Sequence, residues 1–220
     1  MKTKRNFIVS GTLLALFVAF TLIVAFVDVR PTGEGGTNVG LAALNKAAFD
    51  FFGVNLVLYE ITDWLGVVAI AAAFGFALLG FIQLIGRKSL FKVDFDVLAL
   101  GVFYIVVIGC YLFFEFVVVN YRPIILCTKP EPSYPSSHAM IVVCISVSSI
   151  ILLRRKIVNR TILIAAEVFF TALACFTVAG RLFSGVHWLT DVIGGIILSA
   201  ALVSFYYSFV AWHDRRTQMS

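Results

Sequence analysis

Charge is scarce in this sequence: Asp, Glu, Lys and Arg make up 13% of its 220 residues, against roughly 25% in a soluble domain. So sparse a polar complement excludes a water-soluble fold of this size, because 61% of the residues are hydrophobic and no soluble core of this size can hide them all. Cysteine is equally uninformative about metal or redox chemistry. Of the four, Cys110, Cys144 and Cys175 lie in apolar runs and Cys127 in a polar loop, with no zinc or disulfide spacing. They read as small hydrophobes. Proline is nearly absent outside one stretch, since four of the five fall at Pro123, Pro130, Pro132 and Pro135. The net charge of +5 does not point to nucleic acid, because the basic residues sit in short clusters between apolar runs.

What is abundant is long apolar sequence. A membrane-crossing helix needs about 20 mostly apolar residues, and candidate spans are 7–27, 64–85, 97–119, 138–153, 161–179 and 188–211. The fourth is short and borrows a turn from Ser136 and Ser137. The first is too long for a signal peptide, and Val27-Asp28-Val29-Arg30 offers no small-residue cleavage site. The expected fold is therefore all-α: one domain over 1–220, a polytopic bundle of six transmembrane helices. Six spans put both termini on one side. That side collects Lys2, Lys4 and Arg5, then Arg87, Lys88 and Lys92, then Arg154, Arg155, Lys156 and Arg160, then Arg215 and Arg216. The positive-inside rule makes it cytoplasmic. The other face holds loops 28–63, 120–137 and 180–187. In the first of these, Leu41, Leu44, Ala48, Phe52 and Leu56 recur at helical spacing after a Pro/Gly-rich break, and Thr37 or Asn38 is the expected cap. This predicts an outer interfacial amphipathic helix. A connector packed on the bundle is the plainer reading of it, and a gate for lipid entry the functional one.

Two polar islands return to that outer face. The proline-rich loop begins near Arg122 and ends in Pro135-Ser136-Ser137-His138, directly before an apolar run. A helix start there offers unpaired N–H groups and a dipole that favour an anion. The second island is Gly180-Arg181-Leu182-Phe183-Ser184-Gly185-Val186-His187, with Asp191 four residues further on. At that spacing the Asp191 carboxylate can hydrogen-bond one nitrogen of His187 and leave the other basic. The chain crosses the membrane twice between His138 and Arg181, so both islands meet on one side. Two arginines suit phosphate oxygens, and Ser136, Ser137 and backbone N–H groups can complete the cradle. One histidine can attack phosphorus while the other protonates the leaving oxygen.

Arg122-Pro123, Pro135-Ser136-x-His138 and Arg181-x5-His187-x3-Asp191 together resemble the type 2 phosphatidic acid phosphatase (PAP2) family, which shares its pocket with vanadium haloperoxidases. The family pattern is Lys-x6-Arg-Pro, Pro-Ser-Gly-His and Ser-Arg-x5-His-x3-Asp, and the matches span Arg122 to Asp191 in order. The resemblance implies the same six-span layout and a metal-independent phosphatase without cofactor. In it His187 is the nucleophile that forms a phosphohistidine, Asp191 its orienting group and His138 the general acid. Arg122, Ser136 and Arg181 would hold the phosphate. Three positions depart from the pattern. Ser137 replaces glycine, Gly180 replaces serine, and Glu115 stands seven residues before Arg122 where the family has lysine. Either Glu115 pairs with Arg122 or Arg181, or another cation supplies the missing charge, and Lys129 is the expected substitute.

The expected reaction is hydrolysis of a lipid phosphate monoester or diphosphate, of undecaprenyl diphosphate, phosphatidylglycerol phosphate or phosphatidic acid type. The alternatives are transfer of a phospho-headgroup to another acceptor, or a non-catalytic lipid-binding or transport protein. A haloperoxidase is disfavoured by the apolar composition. The expected partners are a lipid phosphate and the bilayer, with no nucleic acid, in a bacterial plasma membrane with the site extracytoplasmic. Glu167 is expected mid-span, facing the bundle interior or protonated. Glu60 and Asp63, near the outer face, are expected to make structural hydrogen bonds, with a pocket role as the alternative, and His213 to be interfacial.

Overall fold

The structure is a computed structural model describing residues 2–218, and the side chains of Lys2 and Thr3 are not among the described atoms. The ends of the expected 1–220 domain and the Lys2 charge therefore lie outside the described residues. Seven α-helices follow one another: α1 Lys2–Phe26, α2 Ala42–Phe52, α3 Leu56–Arg87, α4 Phe95–Phe116, α5 Ser137–Lys156, α6 Arg160–Phe183 and α7 Leu189–Thr217. All except α2 are long and apolar enough to cross a membrane. The six-span, all-α expectation holds, and α2 is the additional outer helix.

Two boundaries move in ways that matter. The second span starts at Leu56 instead of residue 64, because the Asn55 side chain caps it, accepting the Leu58 N–H at 3.1 Å. The helix then carries Tyr59, Thr62 and Asp63 on its first two turns, whose polarity hides them from a hydropathy window. The fifth span runs on to Phe183 instead of ending at 179, so Arg181 belongs to a helix and not to a loop. Glu167 consequently lies in the second turn of α6. It pairs with Arg154 at 2.7 Å and does not face the bundle interior.

The outer helix also differs in detail. Neither Thr37 nor Asn38 caps it, for Asn38–Val39 pairs with Arg30–Pro31 as a short antiparallel ribbon. The cap comes from the end of α1, where the Asp28 carboxylate accepts the Ala43 N–H at 2.8 Å and places an anion at the helix start. Its buried face carries Ala42 and Asn45, while Leu44 and Phe51 are exposed. Asn45 sets that rotation. It accepts the Thr190 N–H at 3.1 Å and donates to Thr190 Oγ1 at 2.9 Å and to the Gly40 carbonyl at 2.8 Å, tying α2 to the first turn of α7.

α5 and α7 form the centre, with α1 against α7 and with α3 and α6 against α5. Lipid tails compete with helices for apolar contact, so packing relies on close approach and interhelical hydrogen bonds. Ser10 Oγ sits 2.9 Å from Ser204 Oγ and 3.2 Å from Ser208 Oγ across α1 and α7. Ser199 Oγ lies within reach of both the Met140 carbonyl at 3.1 Å and the Gly195 carbonyl at 2.7 Å. A Cβ on Gly195 would stand 2.9 Å from the Ser136 carbonyl, so glycine there lets the start of α5 close onto α7. Phe74, Phe81, Ile105 and Phe116 remain exposed, as side chains that face lipid do.

At the end of the bundle that holds the basic clusters, Arg155 grips two carboxylates. It reaches Asp96 at 3.0 and 3.1 Å and Asp214 at 2.6 and 2.7 Å, joining α4, α5 and α7. Lys156 and Arg87 both pair with Asp94 at 2.6 Å, which holds that carboxyl down to about 2. Arg155→Ala removes the bidentate contacts and leaves Asp96 and Asp214 facing each other. The expected outcome is a fall of roughly 4 °C or more in the Tm of detergent-solubilised protein, read by thermal unfolding. Lys cannot reproduce the planar fork, so Arg155→Lys should recover less than half of the loss.

Candidate active site

At the other end, the chain between α4 and α5 folds back on itself. Arg122 N–H donates to the Glu131 carbonyl at 2.9 Å and Ser133 N–H to the Asn120 carbonyl at 2.9 Å, so the prolines bracket a narrow double strand instead of an open loop. Trp188 Nε1 donates to the Tyr121 carbonyl at 2.7 Å and fixes this strand to the start of α7. Ser136 then opens α5 as its cap, its hydroxyl 3.5 Å from the Ala139 N–H and its own N–H on the Asp191 carbonyl at 2.9 Å. His138 follows in the first turn.

Between α6 and α7 the chain turns in a few residues. Ser184 N–H closes on the Gly180 carbonyl at 2.8 Å, and Gly185 takes a left-handed φ of 67°. Its Cα approaches Gly53 and Val54 so closely that a side chain there would collide with backbone. The Asn55 N–H donates to the Ser184 carbonyl at 3.0 Å, which locks the start of α3 against this turn. His187 emerges from it, buried.

Arg122, Arg181, His138 and His187 lie near enough to act on one another electrostatically. Arg181 is wholly buried, its guanidinium stacked 4.9 Å over the Tyr59 ring. One of its nitrogens, Nη2, donates to Asp63, and Asp63 Oδ1 also lies 3.0 Å from His138 Nε2. Arg122 Nη1 reaches the Val186 carbonyl at 3.5 Å, and its Nε is 3.0 Å from Glu131 without hydrogen-bond alignment. That leaves Arg122 Nε, Arg181 Nε and Nη1, His138 Nδ1 and both ring nitrogens of His187 buried without an aligned hydrogen bond among the described residues. Buried donors are ordinarily satisfied. A cluster of orphaned cationic donors is the geometry that an oxyanion completes.

Asp191 departs from the spacing argument. Its Oδ2 is 3.7 Å from His187 Nδ1, beyond hydrogen-bond reach, because the carboxylate caps its own helix. It accepts the Trp188 N–H at 3.0 Å and the Asn120 amide at 3.1 Å. Asn120 in turn accepts the Gly40 N–H at 3.1 Å. Ser137 is only partly buried and lines a small cleft with Glu115 and Tyr134 on the α4 side. Glu115 pairs with neither arginine, and Lys129 is exposed with no ion pair among the described residues. Of the two expected compensations for the missing lysine, pairing of Glu115 with an arginine is thus not made. The glycine at 180 has a steric reason, since a Cβ there would run into the Thr62 methyl on α3.

Tyr59, Asp63, Asn45 and Asn120 lie outside the motifs, and of these Asp63 carries an expectation, a structural hydrogen bond first and a pocket role as the alternative. The first two share one face of α3 with Gly66, whose absent Cβ would stand 3.2 Å from His138, so the spacing 59, 63, 66 carried a helical signal. Nothing local marks Asn45 or Asn120, because their partners are 145 and 71 residues away.

The sequence matches the model of the PAP2 superfamily over residues 3–215. The chain belongs to that superfamily. Comparison with curated protein sequences finds no match. Among solved structures, the fold is similar to a transmembrane PAP2-type phosphatidylglycerolphosphate phosphatase from Bacillus subtilis, with a TM-score of 0.59 and 17% identity, over 92% of this chain and 96% of that one. In this PAP2 protein, Arg122, His138, Arg181, His187 and Asp191, on which the resemblance was drawn, come to one end of the bundle.

Burial and the charges of Arg122 and Arg181 push His187 well below the ordinary imidazole value of 6.5, so it stays neutral at neutral pH. A histidine depressed on folding binds fewer protons than its unfolded counterpart. Stability is therefore lost as pH falls below about 6.5. His187→Asn, which cannot protonate, should lose less Tm than wild type between pH 7.5 and 5.5, measured by thermal unfolding in detergent. Equal losses would show that His187 does not carry this dependence.

Proposed function

We propose that this PAP2 protein is a membrane lipid phosphatase that hydrolyses a lipid phosphate monoester or diphosphate through a phosphohistidine. The observation that carries this reading is the set of guanidinium and imidazole nitrogens buried without a hydrogen bond on four residues near enough to act on one another electrostatically, at one end of a bundle with an apolar perimeter. Arg122 and Arg181 hold the non-bridging oxygens of the phosphate, where their charge also offsets what develops in the transition state. His187, neutral in this setting, attacks phosphorus through one ring nitrogen as the bond to the lipid oxygen breaks. His138 Nε2 gives its proton to that oxygen. Water then attacks the phosphohistidine, His138 takes the water's proton, and inorganic phosphate leaves. This route draws on no metal ion. Asp191 acts by capping the start of α7, directly after the turn from which His187 projects. The partners are a lipid phosphate and the bilayer.

The side of the membrane follows from charge. The described basic clusters gather at the end of the bundle opposite the site, which by the positive-inside rule supports a site on the extracytoplasmic face. Among candidate headgroups, those of phosphatidic acid, phosphatidylglycerol phosphate and undecaprenyl diphosphate all present a terminal phosphate there.

The test is phosphate release from a panel of these lipids by purified protein and by His187→Ala. The variant should lose at least roughly 10³-fold in kcat. An acid-labile label from ³²P-lipid should be trapped on wild type and on no His187 variant. Full activity in His187→Ala, or a label that resists acid, would refute the phosphohistidine.

A further inference from the structure

Phosphate binding and nucleophilic attack leave Asp63 unexplained. A carboxylate that touches both a phosphate-binding arginine and the general acid is a poor companion for an anionic substrate unless it has a place of its own. Its position supplies one. Arg181 is wholly buried, whereas the Asp63 side chain is 40% exposed, so Asp63 reaches in from the mouth where the lipid must lie. It faces Nε2 of His138 at 3.0 Å, the nitrogen that serves the leaving oxygen, while Nδ1 of that ring is buried without a partner. Asp63 therefore marks the leaving-group end of the site.

Its ion-pair cation is Arg181, which meets it from the buried side; on the exposed, leaving-group side no Lys or Arg pairs with it among the described residues. The charged and titratable groups acting on His138 are Asp63 from α3, Arg181 from α6, Arg122 from the loop before α5 and His187 from the turn before α7. Both arginines are committed to the phosphate end, with Nη2 of Arg181 already on Asp63. Lys129 is exposed on its loop, Glu115 holds the position of the family lysine, and Glu131 flanks Arg122 at 3.0 Å.

Resting on the lipid-phosphatase reading, we propose that Asp63 is a specificity-determining and positioning residue: it admits phosphate monoesters, whose leaving group is a neutral alcohol, and disfavours diphosphates, whose leaving group is itself an anionic phosphate. With a monoester, the His187 N–P bond forms as the P–O bond to the lipid breaks. The His138 proton passes to the departing oxygen, and a neutral alcohol leaves beside the Asp63 carboxylate. Until then Asp63 accepts the hydrogen bond of the protonated Nε2 and holds it toward the oxygen. A free hydroxyl on a glycerol leaving group can donate to the same carboxylate. With a diphosphate, the departing lipid monophosphate retains its negative charge and leaves past the exposed side of the Asp63 carboxylate, away from its Arg181 partner, which opposes binding. Asp63 also occupies one donor of Arg181, so a free phosphate must share that guanidinium with it.

The experiment uses full-length wild type, Asp63→Asn and Asp63→Ser in detergent. It compares kcat/KM for phosphatidic acid and for farnesyl diphosphate in mixed micelles, and measures inorganic phosphate binding by calorimetry. Wild type should favour the monoester by about tenfold or more. Both variants should move that ratio toward the diphosphate by about tenfold, with monoester kcat falling and diphosphate KM falling. Phosphate should bind about fivefold tighter to the variants, because the competing carboxylate is gone. A wild-type preference for the diphosphate would overturn the assignment, as would equal losses on both substrates. If wild type releases phosphate from neither lipid, the phosphatase reading fails. The calorimetry then decides the Asp63 contact alone: unchanged affinity overturns it, and tighter binding upholds its place over the cradle.

Discussion

A guanidinium fully buried within a membrane bundle costs several kcal/mol unless it is paired and stacked, and the surroundings of Arg181 follow from that cost. Asp63 and the Tyr59 ring come from α3 to meet it. For α3 to come that close, position 180 must lack a side chain, because the Thr62 methyl fills the space. The same approach is held from outside by the Asn55 N–H on the Ser184 carbonyl and by Gly185 lying against Gly53. Even so, two nitrogens of Arg181 are left without a partner. The fold stabilises the charge only in part and leaves the remainder for a ligand.

A second set of buried polar contacts fixes where His187 stands. Asn45 on α2 bonds Thr190, Asn120 bonds Asp191, and Asp191 caps the helix that follows His187. Each of these side chains is fully buried, and in a low-dielectric setting such a network specifies one arrangement because any broken member leaves an unsatisfied group. The outer helix is thus more than a connector. Through Asn45 and Thr190 it is joined to the segment that carries His187, while its exposed Leu44 and Phe51 remain free to sit in the interface.

The two ends of the bundle manage charge in opposite ways. At the basic end, Arg155, Lys156 and Arg87 are matched by Asp94, Asp96 and Asp214, and these ion pairs clamp α3, α4, α5 and α7 together. At the other end, nitrogen donors outnumber their acceptors among the described residues, and Asp63 bridges Arg181 and His138. Closure at one end and incompleteness at the other are what a static anchor and a binding site respectively require.

The apolar runs determined by themselves that six helices cross a membrane, since the length and hydropathy of a span are local properties. The order Arg122, His138, Arg181, His187, Asp191 was likewise legible, because motif spacing is a feature of the chain and an even number of crossings returns the motifs to one side. The tertiary structure decided what the motifs touch. Spacing put Asp191 on His187, but helix capping drew its carboxylate onto Trp188 and Asn120 instead. Hydropathy ended α6 before Arg181 and began α3 after Asp63, and only packing of the two helices showed that these residues meet. The roles of Asp63, Asn45 and Asn120 depend on partners far away in sequence, so no local pattern contains them. Hydrogen bonds that reach across a bundle are settled when the helices close on one another.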